Sequence, residues 1–363
     1  MNNPLQRRLL NSTMPHGTCA SNSAFVTLIA NESYVSGALC LKRSLMRVRS
    51  ACPIVLVVAD PLPADAMAQL ESEYDSSNIR RLSALRLSLD TYEQRVAHGP
   101  QDKLGVSAGR RLQHLQPAGS AKGKGGGELR NTRQLHRAGG WAKRTHQKLL
   151  LFALGGYRRM AFLDIDMLVT RNIDALLDSQ LIPASFAAVA ALPYSTSSFN
   201  SGVFVFEPSL ATAAALDDLS RRATFRPVRS GAGGGSSAGR GGMGAGPIRV
   251  RGAGERFQLT DQSILNHHFQ GRWHSLPFGY NLGVKVRQVS PKLWARVELA
   301  VIHYVHRPKP WEHTLADPDS SMSRLTRRLG IEPVIRAWRH RCLGAPAGDL
   351  QALSPEDRAS LFE

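Results

Sequence analysis

The segment Ala24-Phe25-Val26-Thr27-Leu28-Ile29-Ala30 and its later counterpart Ile54-Val55-Leu56-Val57-Val58-Ala59 decide the fold class. The first is rich in β-branched and aromatic residues and reads as a strand. The second, opened by Pro53, is apolar without alternation, the pattern of a parallel strand buried on both faces. Between them, residues 34–48 carry Val35, Ala38, Leu39, Leu41, Leu45, Met46 and Val48 near a 3.6-residue rhythm, with Lys and Arg outside it, so this stretch reads as an amphipathic helix. Residues 63–74 read as a second helix. A β-α-β-α opening implies a parallel sheet with right-handed crossovers.

Downstream, the spacing predicts a helix over 141–157 that buries Leu149, Leu150, Phe152 and Ala153. A strand starting at Met160 follows it and ends in Asp164-Ile165-Asp166. Side chains of an extended strand alternate faces, so both carboxylates point the same way and can clamp one cation. A hard divalent ion held there would neutralise charge on a diphosphate leaving group. The triplet alone is weak, because Asp-x-Asp is common on solvated strand ends. It does not open a calcium loop, since Val169 stands where that loop needs Gly and Ala175 where it needs Glu. Further strands are expected at 187–192 and 202–206, and helices at 209–223 and from Thr260-Asp261 onward.

Two stretches, about 95–140 and 226–255, lose all periodicity and fill with Gly, Ser, Lys and Arg; they read as low-complexity insertions. Neither is a phosphate loop, because the glycines at 231–235 do not join a buried strand to a helix and no Lys-Ser/Thr ending follows. A dinucleotide fingerprint is absent too: the turn after Ile29 is Ala30-Asn31-Glu32-Ser33. The expected organisation is a disordered N-terminus over 1–22, a single domain over 23–320 and a helical tail over 321–363.

With 363 residues, 42% of them hydrophobic, the chain can bury a substantial core. Its formal charge of +18 invites nonspecific nucleic-acid binding. Much of that charge, including Arg110, Arg111, Lys122, Lys124, Arg130, Arg229, Arg240 and Arg249, sits in the insertions, where solvated loops are the simpler account and nucleic acid is not the expected partner. Four scattered cysteines, Cys19, Cys40, Cys52 and Cys342, point to a reducing compartment. No run approaches the ~20 apolar residues of a membrane span. The first residues lack a secretory h-region, so a cytoplasmic location is expected, and the sequons at Asn11 and Asn31 then carry no weight. Because no acidic residue precedes Glu32, an organellar transit peptide stays open. Oligomeric state is open as well, a homodimer included.

Near the C-terminus the chain reads Val301-Ile302-His303-Tyr304-Val305-His306-Arg307-Pro308-Lys309-Pro310-Trp311. Imidazole favours borderline ions, so His303 joining Asp164 and Asp166 tilts the preference from Mg toward Mn. Lys309 offers a counter-charge for a diphosphate on a loop stiffened by Pro308 and Pro310. Between the clusters, Asn200-Ser201 precedes an apolar strand and Asp261-Gln262 opens a helix; both pairs offer bonds to sugar hydroxyls, although Asp261 is equally suited to cap its helix.

Taken together and in order, Ala24 to Leu28, Asn31 with Tyr34, Lys148, Phe162 to Asp166, Asn200-Ser201-Gly202, Asp261-Gln262, Leu276-Pro277-Phe278 with Tyr280-Asn281, and His303 through Lys309-Pro310-Trp311 resemble the glycogenin-like retaining glycosyltransferases of family 8. The resemblance implies an α/β GT-A nucleotide-diphospho-sugar transferase fold, a mixed and mostly parallel sheet flanked by helices. It further implies Mn2+-dependent transfer of a hexose, glucose or galactose, from a UDP-sugar to a hydroxyl acceptor with retention. By position it gives Leu28, Asn31 and Tyr34 to the uridine, Ile165 to the ribose, and Lys309 to the diphosphate. It gives Asp164, Asp166 and His303 to the metal, Asn200, Ser201 and Gln262 to the donor sugar, and Asn281 to the acceptor side. Lys148 also reaches the donor, and Asp261, Gln262 and Lys148 are the catalytic groups. Asp261 is the carboxylate for a covalent or ion-pair mechanism, with front-face attack as the alternative.

Three departures from the family pattern stand out. His306 replaces a common Gly, Gln258 stands where a carboxylate is usual, and no tyrosine lies between Leu282 and Ile302. Glycogenin glucosylates a tyrosine in that region, so self-priming at the matching place is excluded. The alternative function is a degenerate transferase fold that binds nucleotide, or nucleic acid through its basic loops, as a scaffold.

Overall fold

The apolar run Ile54–Val58 (β2) is buried along its whole length and pairs in parallel with Ser23–Ile29 (β1), Phe25 beside Ile54 and Ile29 beside Val58. These strands lie inside a computed structural model that describes residues 19–59, 61–98, 146–192, 195–222, 260–305, 307–312 and 321–344. Alternation along β1 sends Phe25 and Ile29 to one apolar layer and Ala24 and Val26 to another. Both faces are thus buried, the condition under which a strand needs no polar side.

Helix α1 (Val35–Arg47) packs Ala38, Leu41 and Leu45 into the first layer, joined by α2 (Ala64–Glu71) through Ala66, Met67 and Leu70. After β3 (Ile79–Arg81), helix α3 (Leu82–His98) covers the second layer with Leu82, Leu85 and Leu89. The sequence reading contains no helix here, although these leucines carry the i, i+3, i+7 spacing; α3 also runs past the expected start of the first insertion. The helix expected over 141–157 is a 3₁₀ helix at Gln147–Ala153, every residue from Lys148 to Ala153 buried, and 141–145 fall outside the described residues.

The chain continues through β4 (Arg159–Leu163), β5 (Met167–Val169), β6 (Phe186–Ala190), β7 (Phe199–Phe206), α4 (Leu210–Arg222), α5 (Asp261–His268), β8 (His274–Leu276), β9 (Leu282–Gly283), α6 (Lys285–Val289), α7 (Pro291–Trp294) and β10 (Val301–His303). It closes on α8 (Ser321–Arg328) and α9 (Glu332–Leu343). Among the described residues the main sheet has the order β3-β2-β1-β4-β7-β6-β8. Only β7 runs against its neighbours β4 and β6, so the sheet is mixed and mostly parallel, as expected. Phe152, Phe186, Phe204, Phe206 and Phe269 fill the space beneath β6 and β7; the rings of Phe152 and Phe206 lie 4.7 Å apart. A second sheet, β5-β10-β9, stands at the C-terminal end of β4. There the antiparallel register sets His303 opposite Met167, one residue beyond Asp166. Most of both insertions, the first 18 residues, and the positions of Gln258 and His306 lie outside the described residues.

All four cysteines are paired, Cys19 with Cys52 and Cys40 with Cys342. This corrects the reading of them as thiols of a reducing compartment, and the cytoplasmic expectation loses that support. Cys40 and Cys342 are 302 residues apart, and only the packing of α9 on α1 brings their Cα atoms to 4.7 Å. α9 also sinks Val334, Ile335, Ala337 and Trp338 against Leu168, Leu282 and Ile302. No helix among the described residues is long and apolar enough to cross a membrane. Thiol titration of the protein purified without reductant and then denatured should find no free cysteine; four reactive thiols would refute the pairing.

Candidate active site

Strand β4 ends at Leu163, so Asp164, Ile165 and Asp166 lie in the turn into β5 and not on the strand whose alternation was expected to align them. Their carboxylates converge for another reason. The Asp164 N–H donates to Gly202 O (2.9 Å), and the Tyr304 N–H donates to Asp166 O (2.9 Å), so each end of the turn is tied to a different sheet. His303 Nε2 lies 3.3 Å from Asp166 Oδ1 and 3.7 Å from Asp164 Oδ2. One ligand atom from each of the three residues falls within 4.8 Å of the others. Two carboxylates and an imidazole grouped in this way suit a divalent ion. Gly202 makes the approach feasible, because a Cβ there would sit 2.4 Å from His303 Cε1.

Two lysines balance this negative charge. Lys309 Nζ donates to Asp166 Oδ2 (2.5 Å) and to the carbonyls of Tyr304 (2.7 Å) and Val305 (3.2 Å). Lys148 Nζ bridges Asp164 Oδ1 (3.0 Å) and Asp261 Oδ2 (2.9 Å), donates to Ser201 O (3.2 Å) and lies over the Phe162 ring. Burial opposes every charge here. It lifts the Asp164 carboxyl above its ordinary pKa, which Lys148 only partly offsets. It pushes Asp166 the same way, but His303 and Lys309 outweigh it and hold that carboxyl below the usual carboxylate range. Burial also works against the Lys148 ammonium, yet Asp164 and Asp261 overcome it and raise its pKa.

Asp261 is not a helix cap. Thr260 caps α5, accepting from the Ser263 N–H (3.2 Å) while Ser263 Oγ accepts from the Thr260 N–H (3.0 Å). The Asp261 carboxylate is therefore free to turn inward, where its Oδ2 also accepts from Ser201 Oγ (2.8 Å). Gln262 Oε1 accepts from Asn200 Nδ2 (3.1 Å) and from the Ser201 N–H (3.2 Å). Asn281, on a 3₁₀ turn at Phe278–Asn281, is buried between Asn200 and His303.

The residues expected at the nucleoside lie near the end of β1 and in the turn that leads into α1. Leu28 is half-buried one residue before the end of β1; Asn31 accepts the Ser33 N–H (3.1 Å) and caps the 3₁₀ turn that presents Tyr34. The Ile165 carbonyl meets α1 at Gly37, where a Cβ would be 2.7 Å from it and 2.8 Å from Trp311. Trp311 packs edge-on to Tyr34 (5.6 Å) and donates to Ser33 O (2.9 Å), while Arg307 donates to the Tyr34 hydroxyl (3.3 Å). Glu312 braces the same loop by accepting from Arg307 Nη1 (3.0 Å) and from the Lys309 N–H (2.7 Å).

Sequence reasoning missed Asn266, whose side chain accepts from the Phe199 N–H (2.8 Å) and donates to Phe199 O (2.9 Å), so that it holds β7 as a neighbouring strand would. Its only signal in the sequence is an Asn inside an otherwise helical pattern. Arg307 and Glu312 were missed as well, because nothing local shows that they bond to Tyr34 and to Lys309.

The two sheets thus bring two aspartates and a histidine together, with a lysine on either side. The family model described as glycosyl transferase family 8 matches residues 25–219 and 248–314. The chain belongs to that family, and its mixed sheet is of the GT-A class. It is 27% identical to mouse glycogenin-1 over 303 residues, which are 81% of this chain and 67% of that one. To human glycogenin-1 it is 28% identical over 304 residues, 81% of this chain and 63% of that one. Among solved structures it is similar to the glycosyltransferase GlyE of Streptococcus pneumoniae TIGR4, with a TM-score of 0.46, 16% identity, and 91% and 63% of the two chains covered.

Lys148→Ala would leave Asp261 buried, and Asp164 half-buried, without their shared cation, and denaturant unfolding should show a loss of about 3 kcal/mol. A loss within the error of the titration would mean that the pairing does not hold the site together.

Proposed function

We propose that the chain transfers a hexose, glucose or galactose, from a UDP-sugar to a hydroxyl acceptor, with a divalent metal ion and retention of the anomeric configuration. The observation that carries this reading is the grouping of Asp164, Asp166 and His303 within 4.8 Å, with Lys309 against Asp166 and the Asp261-Gln262 helix start linked through Lys148 and Ser201. A Mn2+ ion on the three ligands would stabilise the charge that develops on the departing diphosphate.

The protein's own groups do the rest. Lys309 supplies a second positive charge on the same side, at the end of a loop braced by Glu312 and Trp311. Tyr34 offers a ring face to the base, with Asn31 and Leu28 at its edge. Asn200, Ser201 and Gln262 bring amides and a hydroxyl to the sugar, held by bonds among themselves so that little ordering remains to be done on binding. Both bonds made to the Asp261 carboxylate fall on Oδ2, so Oδ1 is the oxygen that a covalent mechanism would use. In front-face attack the same carboxylate would stabilise positive charge on the ring. The acceptor is a hydroxyl group other than a tyrosine at 282–302, where this chain has none.

A thermal-shift screen of UDP-sugars with and without Mn2+ tests the reading before any acceptor is known. The preferred donor at a hundred times its Kd should stabilise the fold by about 2.7 kcal/mol, and the effect should need the metal. Indifference to every UDP-sugar would overturn it. Asp164→Ala and Asp166→Ala should each abolish release of UDP from that donor, and full activity in either would remove the metal assignment.

A further inference from the structure

A histidine can ligate a metal through either ring nitrogen, and the one left bare is decided by what the other is bonded to. In this protein that choice can be traced through three amide side chains to a backbone N–H. The Gly202 N–H, which can only donate, points at Asn200 Oδ1 (2.9 Å). The backbone N–H of Ser201 points likewise at Gln262 Oε1 (3.2 Å), which also accepts from Asn200 Nδ2 (3.1 Å). Asn200 is therefore fixed with its oxygen toward Gly202 and its nitrogen toward Gln262. The group facing Asn200 Oδ1 from the other side must be a donor, and it is Asn281 Nδ2 at 2.8 Å. That leaves Asn281 Oδ1 toward His303 Nδ1 (2.8 Å), and an amide oxygen can only accept. Nδ1 of His303 must then carry the proton. Nε2, which faces Asp166 and Asp164, is then the ring nitrogen placed to give its lone pair to an ion held between those carboxylates.

We propose that Asn281 is the positioning residue that makes His303 an Nε2 ligand, and that it links the metal ligands to the donor-sugar groups Asn200 and Gln262 through this amide relay. The inference rests on the metal site proposed above and adds to it a residue that the resemblance gives only to the acceptor side. The placement supports a role of this kind: Asn281 is 6% exposed, and both ends of its amide are used within the relay. The relay also gives Gly202 a second function beside its steric one. The glycine whose missing Cβ lets His303 approach is the residue whose N–H orients the relay.

The two ends of Asn281 can be separated. Asn281→Asp keeps an acceptor for the Nδ1 proton but has no donor for Asn200, whereas Asn281→Leu loses both. Mn2+ binding in the presence of UDP, followed by electron paramagnetic resonance, should be 10–100-fold weaker in Asn281→Leu. In Asn281→Asp it should be no weaker than in the parent, while the KM for the sugar donor rises. Long-range 15N–1H correlation spectra of the metal-free parent protein should show a proton on His303 Nδ1, whether or not either variant folds. An Nε2–H tautomer, or unchanged Mn2+ affinity in a folded Asn281→Leu, would overturn the inference. A parent protein that binds no Mn2+ at all, with UDP present, would instead remove the metal reading on which it rests.

Discussion

Three carboxylates, Asp164, Asp166 and Asp261, converge near the C-terminal end of β4, the last two buried and Asp164 half-buried, and the surrounding structure is arranged to make that tolerable. Buried like charges repel strongly and lose their hydration, so each needs a cation within hydrogen-bonding distance. Lys148 serves two of them at once and Lys309 serves the third. The cost of this arrangement explains features that would otherwise look unrelated. Lys148 lies on a 3₁₀ segment packed between α3 and the sheet, which is rigid enough to hold a buried ammonium. Lys309 sits on a loop braced by its own glutamate.

The fold delivers these groups through two sheets that meet at a turn. β4 brings Asp164 to the C-terminal end of a central strand of the main sheet, and β10 brings His303 through the smaller one. The short turn 164–166 is tied to both by backbone hydrogen bonds, so displacement of either sheet would pull the ligands apart. Two glycines mark where backbone and ligand come closer than any Cβ permits, Gly202 under His303 and Gly37 under the Ile165 carbonyl. The Tyr34–Trp311 contact and the Cys40–Cys342 bond then attach the C-terminal segments to the helix that follows β1. The turn that carries Asn31 and Tyr34 thus depends on packing far from Asp164, Asp166 and His303.

Much of this was legible in the chain. The β-α-β-α opening, the mostly parallel sheet and the strands around Asn200 follow from apolar periodicity, which is a local property. Residue types that suit a metal, a diphosphate and a sugar were also visible, since carboxylate, imidazole, ammonium and amide have distinct chemistry wherever they stand. Less legible were α3, whose polar residues dilute its leucine spacing, and the disulfides, whose partners are separated by 33 and 302 residues. The alternation argument placed both aspartates on a strand. The structure reaches the same convergence from a turn, because hydrogen bonds to two different sheets can aim side chains as well as a pleat does.

The sequence by itself determined the β-α-β-α opening, the strands that carry Phe162 and Phe204, and which residues have the chemistry to hold a metal, a diphosphate or a sugar, because these depend on side-chain type and on neighbours a few positions away. Only the tertiary structure decided which ionised group faces which and which cysteines meet. It also freed the Asp261 carboxylate by giving the cap to Thr260, and it oriented Asn281 toward His303. Those are relations between residues tens to hundreds of positions apart, and they are set by packing and by the requirement that every buried charge and amide find a partner.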